Sequence, residues 1–246
     1  MSAFQRKSFI GKGPIYLQEV GSDTGLVQVG NASVLELAIE EETKEQQDYT
    51  NPGGGLYDQV SRITGMNANV TLHDLTPENI AIAVRGTTTE VAAGLVEDEE
   101  HTAYQHGVVA LNHVPNLDES VTVKNEAGTE TYVLDEDYAL GNSVIRILDG
   151  DIANGTKIKV TYTKQVGRDV EALTVAAKTY RLFWDGINEA NGEPMPVELY
   201  NIRFTPATAL ALIGDEFAEL QLTAAVLRDE TRSGTGVSQY AKFRTV

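Results

Sequence analysis

The sequence predicts a mainly β protein with one flanking α-helix and a small all-β domain inserted in its middle. Three observations carry this expectation. Apolar and polar residues alternate with a period of two along much of the chain. Gly, Pro, Asn and Asp punctuate those runs, and only one segment has complete helix start and stop signals.

The first long strand is expected over residues 33–40. There Leu35, Leu37 and Ile39 face one side and Glu36 and Glu40 the other, which is the pattern of a strand with one wet face. Met66, Ala68, Val70 and Leu72 alternate with Asn67, Asn69, Thr71 and His73 in a second strand. The helix follows. Thr76 suits the N-cap, Pro77 the first helical position, and Glu78 the positive end of the helix dipole. Ile80, Ala83 and Val84 form a short apolar stripe, and Gly86 supplies the stop. Further strands are expected over residues 181–184, 197–204 and 219–226, the first two separated by the turn-rich stretch 186–196. Residues 207–212, after Thr205-Pro206, read as one short helical turn.

The middle reads as a unit of its own. The acidic run 97–100 reads as a solvated linker. Short strands and turns then follow quickly: residues 121–124, a turn at Asn125-Glu126-Ala127-Gly128, then 129–134, 143–148 and 157–163. Asn154-Gly155 is a tight-turn signal between the last two. The expected division is an outer β domain of residues 1–96 and 165–246 around an inserted all-β domain of residues 97–164. Insertions are tolerated where a β topology brings their two ends together.

Residues 40–57, EEETKEQQDYTNPGGGLY, stand apart. This stretch is too polar to bury itself. It reads as an arm that leaves its domain and docks on a neighbour, carrying Glu40, Glu41, Glu42, Lys44, Tyr49, Pro52, Gly53, Gly54, Gly55 and Tyr57. The plainer alternative is a surface loop.

Composition narrows the chemistry. Nineteen Lys and Arg against 36 Asp and Glu give a net charge of −17, which argues against binding a phosphate backbone. There is no cysteine, so disulfides, thiolate zinc sites and cysteine nucleophiles are excluded. No signal peptide and no apolar run of the roughly 18 residues that a spanning helix needs is visible. Gly11-Lys12-Gly13 runs into Pro14 without the glycine spacing of a dinucleotide loop, and neither a P-loop nor a G-x-S-x-G elbow occurs.

Other candidates have structural explanations. Asp149-Gly150-Asp151 with Asn154-Gly155 lacks the closing Glu of a calcium loop and reads as a turn. His101 and His106 flank the acidic run as linker residues, while His73 and His113 read as outward-facing or satisfied. Asp135, Glu136 and Asp137 read as a solvated turn, and Trp184 as core. The expectation is a protein that is not an enzyme and takes no cofactor or metal.

Several segments together resemble the tail tube (major tail) proteins of long-tailed phages. They are Gly11-Lys12-Gly13-Pro14-Ile15-Tyr16-Leu17, Val29-Gly30-Asn31-Ala32-Ser33-Val34-Leu35-Glu36-Leu37 and Asp48-Tyr49-Thr50-Asn51-Pro52-Gly53-Gly54-Gly55. Two more are Thr71-Leu72-His73-Asp74-Leu75-Thr76-Pro77-Glu78-Asn79-Ile80-Ala81 and, near the C-terminus, Gly214-Asp215-Glu216-Phe217-Ala218-Glu219-Leu220.

The resemblance implies a β-sandwich or half-barrel with one flanking helix. It implies a structural virion protein of which six copies close into a ring, the rings stacking into a tube that passes DNA without binding it specifically. It also implies assembly in the host cytoplasm, other tail proteins as partners (tape measure, terminator and distal tail proteins), and residence in the virion tail. In that reading the arm reaches an adjacent ring or subunit, Glu36 and Glu40 are candidate acids on the lumen wall, and the insert sits on the tube exterior. Two alternatives stand beside it: a tube protein of a contractile bacteriocin or secretion machine, and a receptor- or carbohydrate-binding β module of a virion. For the latter, Tyr104 is the exposed aromatic candidate, while Tyr132, Tyr138 and Tyr162 fall on core positions.

Overall fold

A computed structural model describes residues 8–246. In chain order it contains β1 (Gly11–Lys12), β2 (Ile15–Glu19), β3 (Val27–Gln28), β4 (Ala32–Gln47) and β5 (Leu56–Leu72), then α1 (Pro77–Val84) and β6 (Thr87–Val91). The middle follows with β7 (Gly94–Ala103), β8 (Val108–Ala110), β9 (Thr122–Asn125), β10 (Tyr138–Leu140), β11 (Val144–Ile147) and β12 (Thr156–Lys164). The last part holds β13 (Gly167–Glu171), β14 (Tyr180–Trp184), β15 (Ile187–Asn188), β16 (Val197–Phe204), β17 (Leu220–Val226) and β18 (Ala241–Phe243). With 48% strand and 3% helix, the protein is mainly β.

The chain forms two compact units, Met1–Thr88 with Val170–Val246, and Thr89–Asp169. The first is built on an eight-stranded antiparallel sheet in the order β3-β2-β14-β16-β17-β5-β4, with β18 also paired to β16. Period-two patterning sends Ile15, Leu17, Val70, Leu72, Leu182, Leu199, Ile202, Leu220 and Leu222 to one face, where they are buried together. Each such side chain contributes roughly 1.5–3 kcal/mol when fully buried. Ala83 of α1 joins this core, with Ile82 and Val84 packed against it. Ile80 takes no part in the core, so the helix's apolar stripe lies over 82–84.

The helix starts as its sequence dictates, with Thr76 Oγ1 accepting from the Asn79 amide at 3.2 Å. Its end differs in one respect. Arg85 takes the left-handed conformation (φ 49°) that the sequence assigns to Gly86, and the Gly86 amide closes back onto the Ala81 carbonyl at 2.8 Å. Residues 207–212 contain no helix. The Ala207 amide is bonded to the Ala83 carbonyl and Ala207 packs on the core, so tertiary contacts override the local propensity.

The second unit carries two three-stranded sheets, β10-β11-β8 and β7-β12-β9, around its own core of Val123, Tyr138, Ile145, Ile147, Ile152, Ile158, Val160 and Tyr162. The acidic run expected to be a linker lies instead within β7, where Glu99 and Glu100 pair with Val160 and Lys159. Its charges tolerate a strand because alternate side chains stay exposed while the backbone is bonded. Residues 129–134 form isolated bridges and no strand. Gly155 does turn (φ 77°), but β11 and β12 belong to different sheets, so the turn closes no hairpin between them. The chain passes between the units at residues 88–89 and 169–170, inside β6 and β13, so the boundaries fall outside the expected 97 and 164.

Candidate functional site

The arm of residues 40–57 is mostly strand. β4 continues to Gln47 and β5 begins at Leu56, so only residues 48–55 form the connecting turn. The polar composition that suggested a loop is accommodated because the two strands bond each other along their whole length, with Glu42 opposite Arg62 and Lys44 opposite Val60. Every residue from Ile39 to Gln47 and from Leu56 to Thr64 is exposed. At about 3.4 Å per residue, the hairpin therefore carries roughly 30 Å of ladder without core support.

A bulge divides it. Glu40 pairs with Gly65 and Glu41 with Ile63, leaving Thr64 as the extra residue on β5. On the distal side, Leu56, Tyr57, Val60 and Ile63 are exposed apolar residues, Ile63 to 74%. The sequence reading named Tyr57 for the arm but not Leu56, Val60 and Ile63, which sit on the return strand without a period-two spacing.

The tip is held by Asp48. Its carboxylate accepts from the Thr50 amide (2.7 Å), the Thr50 hydroxyl (2.5 Å) and the Asn51 amide group (2.8 Å). Those bonds, led by the Thr50 hydroxyl, push its pKa down to about 2. The Asp48 amide also bonds the Gly55 carbonyl at 2.7 Å, and Gly53, Gly54 and Gly55 all adopt positive φ, the conformation only glycine takes without cost. Tyr49 and Tyr57 project into solvent, with Pro52 exposed between them.

The face of the sheet opposite the core is polar. Glu36 lies across from Asn69, and Asn67 donates to Glu40 Oε1 at 2.7 Å, so both acids share that open face. Thr223 continues it, donating to Asn69 Oδ1 at 3.1 Å. Arginine dominates toward β14 and β16. Glu198, with a side chain only 4% exposed, accepts from Arg181 (2.6 and 2.9 Å) and Arg244 (2.7 Å). Arg232 stacks 3.5 Å from the ring centre of Tyr200. Burial opposes ionisation of Glu198, but the Arg181 and Arg244 hydrogen bonds outweigh it and hold the carboxyl below its ordinary range. The open face is thus acidic along β4 and basic around β16.

An apolar groove of about 790 Å³ opens on the core side of β4. Ile15, Val34, Leu37, Trp184, Val197 and Phe243 line it, and Lys12 is the one charged residue among its described walls. Trp184 is therefore half-buried in a groove wall, not enclosed in the core; its Nε1 donates to the Gly13 carbonyl at 3.2 Å and its ring meets Phe9 edge-on. Between β16 and β17, residues 211–217 are all exposed, with Ile213 at 97% and Phe217 at 95%.

The second unit holds one polar cluster. Glu99 accepts from Tyr162 (2.6 Å) and from the Asn112 amide (2.9 Å), and lies 2.6 Å from His101 Nε2. His101 is thus a strand residue bonded to a carboxylate, not a linker histidine. His113 Nδ1 is buried without a hydrogen-bond partner among the described residues, although the sequence suggested a satisfied or outward-facing residue. Asp137, expected in a solvated turn, is buried and accepts from the Val133 and Asp151 amides at 2.7 Å each, stapling that turn to residues 149–151. Among the described residues no group of three or more His, Asp or Glu is arranged to hold a metal ion. No described helix is long and apolar enough to cross a membrane.

The site that emerges is a surface: an exposed, partly apolar hairpin, a long sheet edge, and a groove beside it. No curated protein matches the chain. Residues 8–244, nearly the whole sequence, match the model of the family described as protein of unknown function UCP028589, and the chain belongs to that family.

Proposed function

We propose that the protein is a structural subunit that assembles with copies of itself into rings stacked as a tube, as in the phage tail tube proteins that its sequence resembles. The observation that carries this reading is the β4–β5 hairpin. Two-stranded ribbons are marginal in water on their own, yet this one runs roughly 30 Å past its core and exposes Ile39, Val60 and Ile63. Its outer strand β4 ends the sheet, leaving 16 residues of edge backbone unpaired among the described strands. Long apolar edges invite aggregation unless another chain covers them, and a sheet closed across subunits removes them.

In this reading the protein has no catalytic role, its partners are copies of itself and the other tail components, and it resides in the virion tail. Glu36 and Glu40 on the open face repel the DNA that passes.

Negative-stain imaging of the purified chain at rising concentration tests the proposal. Hollow rings or tubes are expected, and a monodisperse monomer at every concentration overturns it. Ile63→Asp on the distal hairpin should abolish assembly while leaving the far-UV circular dichroism unchanged. Glu36→Lys with Glu40→Lys should leave tubes intact and slow DNA passage; normal ejection overturns the assignment of those two acids.

A further inference from the structure

We infer that the segment 212–217 of one copy docks into the groove beside β4 of a second copy, in a head-to-tail contact. The inference rests on the assembly reading and specifies one of its interfaces. Leu212, Ile213 and Phe217 are almost fully exposed on a stretch with no regular structure, held between β16 and β17. Three large apolar side chains so close together on a single strap have no cover among the described residues of their own chain. Clusters of this kind mark contact sites.

The groove offers what they lack. Its walls are aliphatic and aromatic, including Ile15, Leu37, Trp184 and Phe243. Four consecutive residues, Ala32, Ser33, Val34 and Leu35, line it together. The ladder is irregular between Ala32 and Val34, so the start of β4, the outermost strand of the sheet, presents consecutive residues to the groove and lies along its rim. That edge is unpaired among the described strands. An extended segment laid along it gains main-chain hydrogen bonds and places alternate side chains in the groove, the mode of strand addition.

Charge fits the same pairing. The strap carries Asp215, Glu216 and Glu219 and no basic residue from 212 to 219, whereas the one charged residue among the groove's described lining is Lys12. The strap enters β17 at Leu220, which pairs with Leu72, and Leu72 pairs with Ala32 at the near end of the groove, while Ile15, Trp184 and Val197 pair with one another at its far end. Strap and groove are unlike surfaces, so their contact is heterologous and can repeat from copy to copy.

The absence of cysteine in the chain makes the test clean. Phe217→Cys is made in one preparation and Val34→Cys in another, with Glu126→Cys in the second unit as a control. Both positions 217 and 34 are exposed, so each variant should melt at the wild-type temperature. Mild oxidation of the Phe217→Cys and Val34→Cys mixture should give a disulfide-linked pair at least tenfold more abundant than from either variant alone or from mixtures with the control. Equal yields in all mixtures, homodimers from single variants, or no linked pair each overturn the inference.

Phe217→Asp should raise the concentration needed for association by about tenfold, as expected for removal of a central aromatic anchor; unchanged association overturns the docking. Wild-type imaging separates the two claims. Tubes without the cross-link leave the assembly reading standing and remove this contact, whereas the cross-link without rings or tubes does the reverse.

Discussion

Asn79 joins the start of α1 to the turn before β4: its side-chain amide donates to the Val29 carbonyl and to the Asp74 carbonyl, both at 2.8 Å, from a position only 2% exposed. Asp74 completes the link by accepting from the Asn31 amide at 2.7 Å, packed so tightly against Gly30 (φ 90°) that no side chain fits there. Two separate segments of the sequence, Val29-Gly30-Asn31 and Asp74-Leu75-Thr76-Pro77-Glu78-Asn79, thus form one knot that fixes where β4 begins. Asn79→Ala takes the donor from the buried Val29 carbonyl and the partly buried Asp74 carbonyl and should cost about 1–3 kcal/mol in urea unfolding. Asn79→Asp, which removes the donors, should cost at least as much; a neutral result for both would show that the knot does not set stability.

Glu198 gives the first unit an acid-labile clamp. Its folded pKa is depressed from the ordinary 4.5, so its contribution is fully present above that value and disappears as pH falls through the folded pKa. Arg181 and Arg244 are each about two-fifths exposed, so solvent screening limits the clamp to about 1–2 kcal/mol. Stability measured by denaturant from pH 7 to pH 3 should therefore fall less in Glu198→Gln than in wild type. Parallel curves would assign the acid sensitivity elsewhere.

Deleting Thr64 leaves each distal residue of β5 opposite the β4 residue it already pairs with, but it removes the bend and extra twist that the bulge gives the hairpin. The core residues Ala68, Val70 and Leu72 lie beyond this point and keep their places. We expect thermal unfolding within a few degrees of wild type, by the scale that relates small free-energy changes to Tm, together with loss of assembly in sedimentation. Normal assembly would mean that the bend of the hairpin is not read by a partner.

Asp48 should titrate with a midpoint of about 2 by NMR. Asp48→Ala removes the acceptor of the Thr50 amide, so hydrogen exchange at Thr50 should accelerate while amides in β16 and β17 stay unchanged. Equal exchange in the two proteins would show that the glycines alone shape the tip.

The segment 89–169 has its own buried core and ends near the Glu90–Arg168 ion pair (3.2 Å). Expressed alone, it should unfold in one cooperative transition. In that fragment Tyr162→Phe, which takes a donor from half-buried Glu99, should lower stability by about 1 kcal/mol or more. A fragment without a cooperative transition would mean that the unit needs the rest of the chain.

Local chemistry alone determined a good part of this protein. The alternation of Leu35 and Leu37 with Glu36, and of Val70 and Leu72 with Asn69 and Thr71, specified both strands and their wet face, because the side-chain period of a strand is fixed by its backbone. Thr76 and Pro77 specified the start of the helix for an equally local reason. Tertiary structure decided what depends on residues far apart. The polar residues 41–47 became strand only because residues 56–63 return alongside them, and pairing outweighs weak intrinsic propensity. Glu198 gathers arginines 17 and 46 residues away, and Asp137 is buried because two backbone amides converge on it. No one-dimensional pattern encodes such meetings. The groove beside β4 and the bare strap at Phe217 belong to the same class, since a surface is defined only once the chain has chosen what to cover.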